Sequence, residues 1–166
     1  MSSEMCPVTS SFYAYLGVAA ATAFSCIGSA YGTAKAGTGV VASGLVKPSG
    51  VVRNLLPVIM AGILGIYGLL TVVSLTGAIG DVSLGLPLFN SYAYLASGLV
   101  TGTTALCAGI AIGVAGEAAA KAVAYKGKLF VVMLLNLVFG EALAIYGLIV
   151  SLILALKGVS PSDAGC

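Results

Sequence analysis

The sequence predicts an all-α membrane protein with four transmembrane helices, arranged as two tandem helical hairpins. Of its 166 residues, 60% are apolar and only 7% are charged, against roughly 25% charged residues in an ordinary soluble domain. The mean hydropathy is +1.14. Charge-free stretches recur four times, each long enough to cross a hydrocarbon core of about 30 Å as a helix. Short motifs of the first half also return in the second half.

Each of the four stretches ends near a charged residue, and together they predict spans at residues 12–34, 55–77, 91–116 and 129–156. The first two spans form a hairpin over residues 1–79, and the last two form a second hairpin over residues 80–166. The first span is preceded by Glu4 and by no basic residue. It therefore lacks the positive segment of a signal peptide, and we expect it to be retained as a helix.

Basic residues are concentrated in two of the three predicted loops. The loops at residues 35–54 and 117–128 contain six of the seven Lys and Arg residues, whereas the loop between the second and third spans holds only Asp81. The positive-inside tendency places the two basic loops in the cytosol. Both termini and the Asp81 loop are then expected on the lumenal or outer side, and Lys157 is a single charge against this arrangement.

The two hairpins are related by a sequence repeat. The motif YAYL at residues 13–16 returns at 92–95, and IYGL at 66–69 returns at 145–148, both with an offset of 79. Two matches at one offset, one in each helix of the hairpin, indicate a duplicated hairpin. Each hairpin returns to its starting side, so the halves have the same orientation. Parallel repeats favour a symmetric array, whereas inverted repeats are typical of alternating-access transporters.

The first and third spans differ in character from the second and fourth. Glycines four residues apart put small side chains on one helix face and permit close helix packing; they are Gly28, Gly32, Gly98, Gly102, Gly109 and Gly113. The second and fourth spans are bulkier and suit lipid or an outer layer. A ring of subunits with a glycine-rich inner circle and a bulkier outer circle fits both patterns. The alternative is a monomeric four-helix bundle in which these glycines pack internally.

Glu141 is the only charged residue between Lys128 and Lys157. A helix starting at Leu129 places it roughly 18 Å along the axis, near the middle of the bilayer. An ionisable group at that depth is costly, and we expect it to be functional. Burial disfavours its charged form, so the chemistry is that of a proton carrier. The offset of 79 pairs Glu141 with Gly62, so each chain offers one such site.

Two alternative functions remain open. A carboxylate also binds Na⁺ if neutral oxygens complete the coordination, and the oxygen donors available are few: Tyr67, Ser25, and Thr103 or Thr104. Tyr67 lies about one and a half turns beyond Gly62, so its hydroxyl can hydrogen-bond Glu141 of a neighbouring helix. The second alternative is a structural or pore-forming oligomer. It is disfavoured because a pore needs a polar helix face, and the faces here are apolar.

Other classes of function are disfavoured by composition. The chain has no His, and its four Cys residues lack metal-ligand spacing, so we expect no metal site and no catalytic triad. The net charge of +2 is too small and scattered to suggest nucleic acid as a partner. No phosphate-binding glycine loop is present, so we expect no cofactor, only a transported H⁺.

Several segments resemble the signatures of the 16 kDa proteolipids, the c-type proteins of vacuolar-type H⁺-ATPases. They are AYGTAK at 30–35, LPVIMAGI at 56–63, FGEAL at 139–143 and YGLIV at 146–150. The resemblance implies a non-catalytic subunit of a proton-pumping ATPase, assembled with other proteolipid copies into a c-ring. It implies that Glu141 is the proton-carrying carboxylate and that the ring turns past a stator, the a-subunit, whose arginine releases the proton. The d-subunit, a central stalk and the lipid bilayer are the other implied partners.

The implied location is the membrane of a vacuole, an endolysosome or another acidic organelle, or the plasma membrane. The resemblance covers the c-type proteolipid and the related c′-type proteolipid alike. Gly140 stands where the family usually has Ala, and Asn136 stands where it usually has an aliphatic residue. Both positions flank Glu141, so they bear on the local geometry of the site.

Overall fold

A computed structural model describes residues 7, 9–80 and 85–159 of the chain. These residues form four long helices, α1 Ser10–Val46, α2 Leu56–Ile79, α3 Leu88–Tyr125 and α4 Phe130–Leu156. Each helix, taken with the short turn before it where there is one, is long and apolar enough to cross a membrane, and the described part of the chain contains no strand. The predicted all-α fold with four spans is confirmed. Asp81 and both chain ends, on which part of the predicted topology rests, lie outside the described residues.

The segments predicted as loops at residues 35–54 and 117–128 are largely helical. The first helix continues past Lys35 to Val46, and the third continues past Glu117 to Tyr125. With 37 and 38 residues, these helices are roughly 55 Å long and exceed a bilayer core of about 30 Å. The first charged residue therefore marks the expected edge of the bilayer rather than the end of the helix.

The ends of the helices repeat with the same offset as the sequence. The helix α1 ends at Val46 and α3 ends 79 residues later at Tyr125, and each is followed by a short 3₁₀ turn, Pro48–Gly50 or Gly127–Leu129. Pro48 has no N–H and restricts the residue before it, which accounts for the first stop. The short helix Val51–Asn54 precedes α2. The duplicated hairpin is therefore visible in the backbone as well as in the sequence.

The helices α1 and α3 run parallel and touch along a glycine seam. Gly98 lies against the backbone of Gly17, Gly109 against that of Gly28, and Gly113 lies close to Gly32. Each of these pairs differs by 81 in residue number, so the two helices stay in register over about four turns. In these pairs an added Cβ would meet backbone atoms of the opposite helix. The glycines are therefore what permits this close approach.

The same seam contains the remaining predicted packing glycine. Gly102 faces Ala20 and Phe24 of α1, and an added Cβ would lie 2.8 Å from the Ala20 carbonyl oxygen. The six glycines named from the sequence thus pack α1 against α3 within one chain. An ion pair also joins α1 to α3, because Glu117 of α3 lies 3.0 Å from Lys35 of α1. Within α3, Glu117 also pairs with Lys121 at 2.7 Å.

The bulkier helices α2 and α4 complete the core around the middle of the chain. One cluster of buried side chains draws on three helices, with Leu64 from α2, Ile112 from α3, and Leu137 and Ala144 from α4. Each of these four side chains is at most 1% exposed. The cluster therefore fixes the rotation of α4, and with it the direction in which Glu141 points.

Candidate functional site

Glu141 is buried between the helices rather than placed on the open face of α4. Its relative exposure is 7%, and Leu137 and Ala144, one turn before and almost one turn after it, are each 1% exposed. Residues three and four apart share one helix face, so the carboxyl group belongs to the packed face of α4. In the single chain the acid is therefore enclosed between helices.

Tyr67 of α2 is the hydrogen-bond partner of this carboxyl group. Its hydroxyl donates to Glu141 Oε1 at 2.9 Å, and its ring packs partly buried against the central core cluster. The two residues come from different hairpins and are 74 positions apart. The site is therefore built by both halves of the duplicated chain, with the acid in the second half and the donor in the first.

The other two residues named as neighbours of the site have different surroundings. The Ser25 hydroxyl donates to the backbone carbonyls of Ala21 and Thr22 in its own helix, α1. Its side chain packs against Gly68 of α2. Gly62 accepts a hydrogen bond from Ser29 Oγ at 3.4 Å, and an added Cβ would meet nothing within 4 Å. Neither residue hydrogen-bonds Glu141 in the described structure.

The threonines considered as cation ligands, Thr103 and Thr104, donate their hydroxyl hydrogen bonds to carbonyls of their own helix. Thr103 donates to the Leu99 carbonyl at 2.7 Å, and Thr104 donates to the Val100 carbonyl at 2.8 Å. Thr104 packs against Gly147, as Ser25 packs against Gly68, and the two pairs are related by the offset of 79. These hydroxyls therefore fix helix packing within each hairpin.

A buried layer of hydroxyl groups beyond Tyr67 was missed from the sequence. Thr71 of α2 donates to Thr101 of α3 at 3.1 Å and lies 3.3 Å from Ser151 of α4. Ser97 adds a hydrogen bond to the Ser151 carbonyl at 2.8 Å. The only sequence signal is that Thr71 follows Tyr67 by one turn. The layer joins three helices and holds α4 at a fixed height relative to α2.

No cation of the described chain neutralises Glu141. The ion pairs among the described residues involve Glu117 with Lys35 and Lys121, at the far end of α1 and α3. The carboxyl group therefore has one hydrogen-bond donor, Tyr67, and no cationic partner among the described residues.

Comparison with known proteins gives one family and a consistent set of relatives. Residues 16–75 and 95–154 each match the ATP synthase C-subunit family, and together they cover more than half of the chain. The two matches are displaced by 79 residues, like the repeat in the sequence.

The relatives are the V-type proton ATPase 16 kDa proteolipids, c-type, from Ovis aries, Bos taurus and Homo sapiens. This chain is 44% identical to each over 151 residues, which cover 91% of it and 96% of the relative. The chain therefore belongs to the ATP synthase C-subunit family, with one family match in each of its two hairpins.

Proposed function

We propose that this chain is a proton-carrying rotor subunit of the membrane sector of a V-type proton ATPase, and that Glu141 is the group that binds and releases the proton. The chain is non-catalytic, and ATP hydrolysis takes place in another part of the complex. The observation that carries the proposal is a single buried carboxyl group held by Tyr67 at 2.9 Å, in a helix whose other residues are uncharged.

The chemistry of the cycle follows from this enclosure. In its neutral form Glu141 is compatible with apolar surroundings, so it retains the proton while the subunit moves through lipid. The charged form is stable only opposite a cation or water. A stator a-subunit that presents an arginine supplies such a cation, and rotation past it drives proton release. Tyr67 orients one carboxyl oxygen throughout the cycle.

The proposed assembly is a ring of such proteolipid subunits, in contact with the stator, with the d-subunit and with a central stalk. The basic ends of the hairpins, near Lys47, Arg53 and Lys126, face the cytosol under the positive-inside tendency. Both chain ends are then lumenal. The membrane is that of a vacuole or another acidic organelle.

Transport of Na⁺ is the competing function at the same site. A bound Na⁺ needs several oxygen ligands, and Tyr67 is the one side chain that donates to Glu141 among the described residues. Thr103, Thr104 and Ser25 donate instead to their own helices. Proton transport is therefore favoured.

The test is Glu141→Gln in every copy within the assembled complex, followed by measurement of proton pumping and carbodiimide labelling in membrane vesicles. We expect both to be lost, because Gln keeps the size of the side chain but has no carboxyl proton to exchange. Glu117→Gln is the matched control, since Glu117 is the described chain's other carboxylate and lies outside the site. Pumping that persists in Glu141→Gln would refute the proposal. Protection of Glu141 from carbodiimide by Na⁺ would establish the sodium alternative.

A further inference from the structure

A polar cavity lies between the turn of the first hairpin and the turn of the second, at the end of the chain that the positive-inside tendency places in the cytosol. Its volume is about 230 Å³. The first hairpin lines it with Lys47, Arg53 and Asn54, and the second lines it with Val123 and Gly127. Both hairpins are therefore needed to build this cavity, which is separate from the candidate proton site.

Asn54 brings a buried hydrogen-bond acceptor to the cavity. The residue is 3% exposed, and its Nδ2 donates to Ser43 Oγ at 3.0 Å and to the Ala120 carbonyl at 3.4 Å. Because a carbonyl can only accept, the Ala120 contact fixes which way the amide points. Asn54 Oδ1 is the one buried side-chain nitrogen or oxygen without a hydrogen-bond partner in the part of the chain that the structure describes. Such an acceptor is costly unless a donor reaches it, so a ligand with an O–H group suits the cavity.

The same cavity carries positive charge that the chain does not neutralise. Lys47 and Arg53 are exposed, and no carboxylate among the described residues forms an ion pair with either. The guanidinium of Arg53 lies 5.2 Å from the centre of the Phe130 ring, a cation–π contact that holds it against the second hairpin. Lys126 and Lys128 add two further exposed cations beside the cavity. The charges therefore favour an anion as the ligand.

The height of the cavity in the membrane indicates where such an anion comes from. Asn54 is level with Ser43 of α1, to which it is hydrogen-bonded. Gly32, eleven residues earlier in α1, packs against Ala61, which precedes the counterpart of Glu141. Eleven helical residues span about 16 Å, and half of the hydrocarbon core is about 15 Å. With Glu141 near the middle of the bilayer, the cavity lies at the height of the lipid headgroups.

We propose that this cavity binds the headgroup of an anionic phospholipid of the phosphoinositide class. Its phosphate groups lie against Lys47 and Arg53, and a hydroxyl of the inositol ring donates to Asn54 Oδ1. Basic pockets between membrane helices bind headgroups of this kind, and the cytosolic leaflet is rich in anionic lipid. The inference goes beyond the proposed function and takes from it only the depth of Glu141 and the orientation of the chain.

The first test measures binding of a phosphatidylinositol monophosphate to the full chain in detergent by native mass spectrometry. Lys47→Gln and Arg53→Gln should each weaken binding about fivefold, because each removes one charge from the headgroup. Lys157→Gln is the matched control, since Lys157 is exposed beyond α4, at the opposite end of the chain. Equal weakening in Lys157→Gln would show general attraction to a basic protein and would overturn the site. A soluble inositol phosphate that binds as tightly as the lipid would overturn the assignment to lipid.

The second test isolates the hydroxyl contact. Phosphatidylinositol and phosphatidylmethanol carry the same single charge, but only the first has headgroup hydroxyls. The unmodified chain should prefer phosphatidylinositol about fivefold, the equivalent of one hydrogen bond. Asn54→Leu should bind both lipids equally, and binding of phosphatidylmethanol shows that this variant is folded. A preference that survives in Asn54→Leu would overturn the role of Asn54, and the lysine and arginine variants test the site independently of the Asn54 contacts with Ser43 and Ala120.

The third test uses the assembled complex in native membranes and a photoactivatable phosphoinositide. We expect the label on the segment 47–54, and we expect Lys47→Gln to reduce it. Labelling of the isolated chain but not of the complex would show that a protein partner covers the cavity and would overturn the inference. Glu141→Gln should be labelled like the unmodified chain, and proton pumping is measured on the same membranes. Failure of the lipid site is therefore distinguishable from failure of the carrier function.

Discussion

Replacement of Gly109 by alanine tests whether the glycine seam sets the geometry on which the site depends. An added Cβ at Gly109 would lie 2.8 Å from Gly28 Cα and closer still to the carbonyl group of Gly28, whereas ordinary contacts lie at 3.4–4 Å. The α1–α3 seam must therefore open by about 1 Å, and forcing atoms into a packed contact costs about 1–3 kcal/mol. Alanine recovers about 0.5–1 kcal/mol of helix propensity. From the middle of the two ranges, the net destabilisation is about 1 kcal/mol.

The assay is thermal unfolding of the purified chain in detergent, followed by circular dichroism. For a chain of this size the destabilisation corresponds to a midpoint roughly 2–4 °C lower. Gly113→Ala should give a smaller shift, since its added Cβ would lie 3.0 Å from Gly32 Cα. Gly77→Ala in α2 is the control, because an added Cβ there meets nothing within 4 Å, and it should not lower the midpoint. A Gly109→Ala chain that melts no lower than Gly77→Ala would refute the seam argument.

Two further predictions concern the acid itself. Tyr67→Phe removes a hydrogen bond to Glu141 worth about 1 kcal/mol, so carbodiimide labelling of Glu141 at fixed pH should become about fivefold faster. Tyr146→Phe is the control and should leave the labelling rate unchanged. Equal labelling rates in the two variants would contradict the role of Tyr67. In the Glu141→Gln background, Gly62→Glu returns a carboxyl group at the matching depth of the other hairpin, where an added Cβ has free space. We expect labelling and part of the proton pumping to return, and a complex that remains unlabelled would show that Gly62 is not equivalent to Glu141.

The fold and the acid were predictable from the sequence because both depend on simple one-dimensional patterns. Four charge-free stretches are sufficient to count helices, and one carboxylate inside such a stretch is conspicuous. Depth along the chain also points to Tyr67, and the structure places its hydroxyl 2.9 Å from Glu141. The helix ends were harder, because charge indicates bilayer depth and says little about where a helix stops beyond Lys35 or Glu117.

The parts that were missed depend on which helix faces meet. Thr71, Thr101 and Ser151 form one layer only because α2, α3 and α4 present these faces to one another. Nothing in the local sequence distinguishes them from Thr103 or Ser25, which bond to their own helices. Burial of Glu141 is a property of the same kind, since the sequence supplies its depth but not the rotation of α4.

The duplicated hairpin carries two tyrosines at equivalent positions but only one acid. Tyr67 has Glu141 as its partner within the chain, whereas Tyr146 is 63% exposed and the residue that corresponds to Glu141 in the first hairpin is Gly62. Under the proposed function each copy would therefore carry one proton through four helices, and the number of protons per turn would equal the number of copies rather than the number of hairpins.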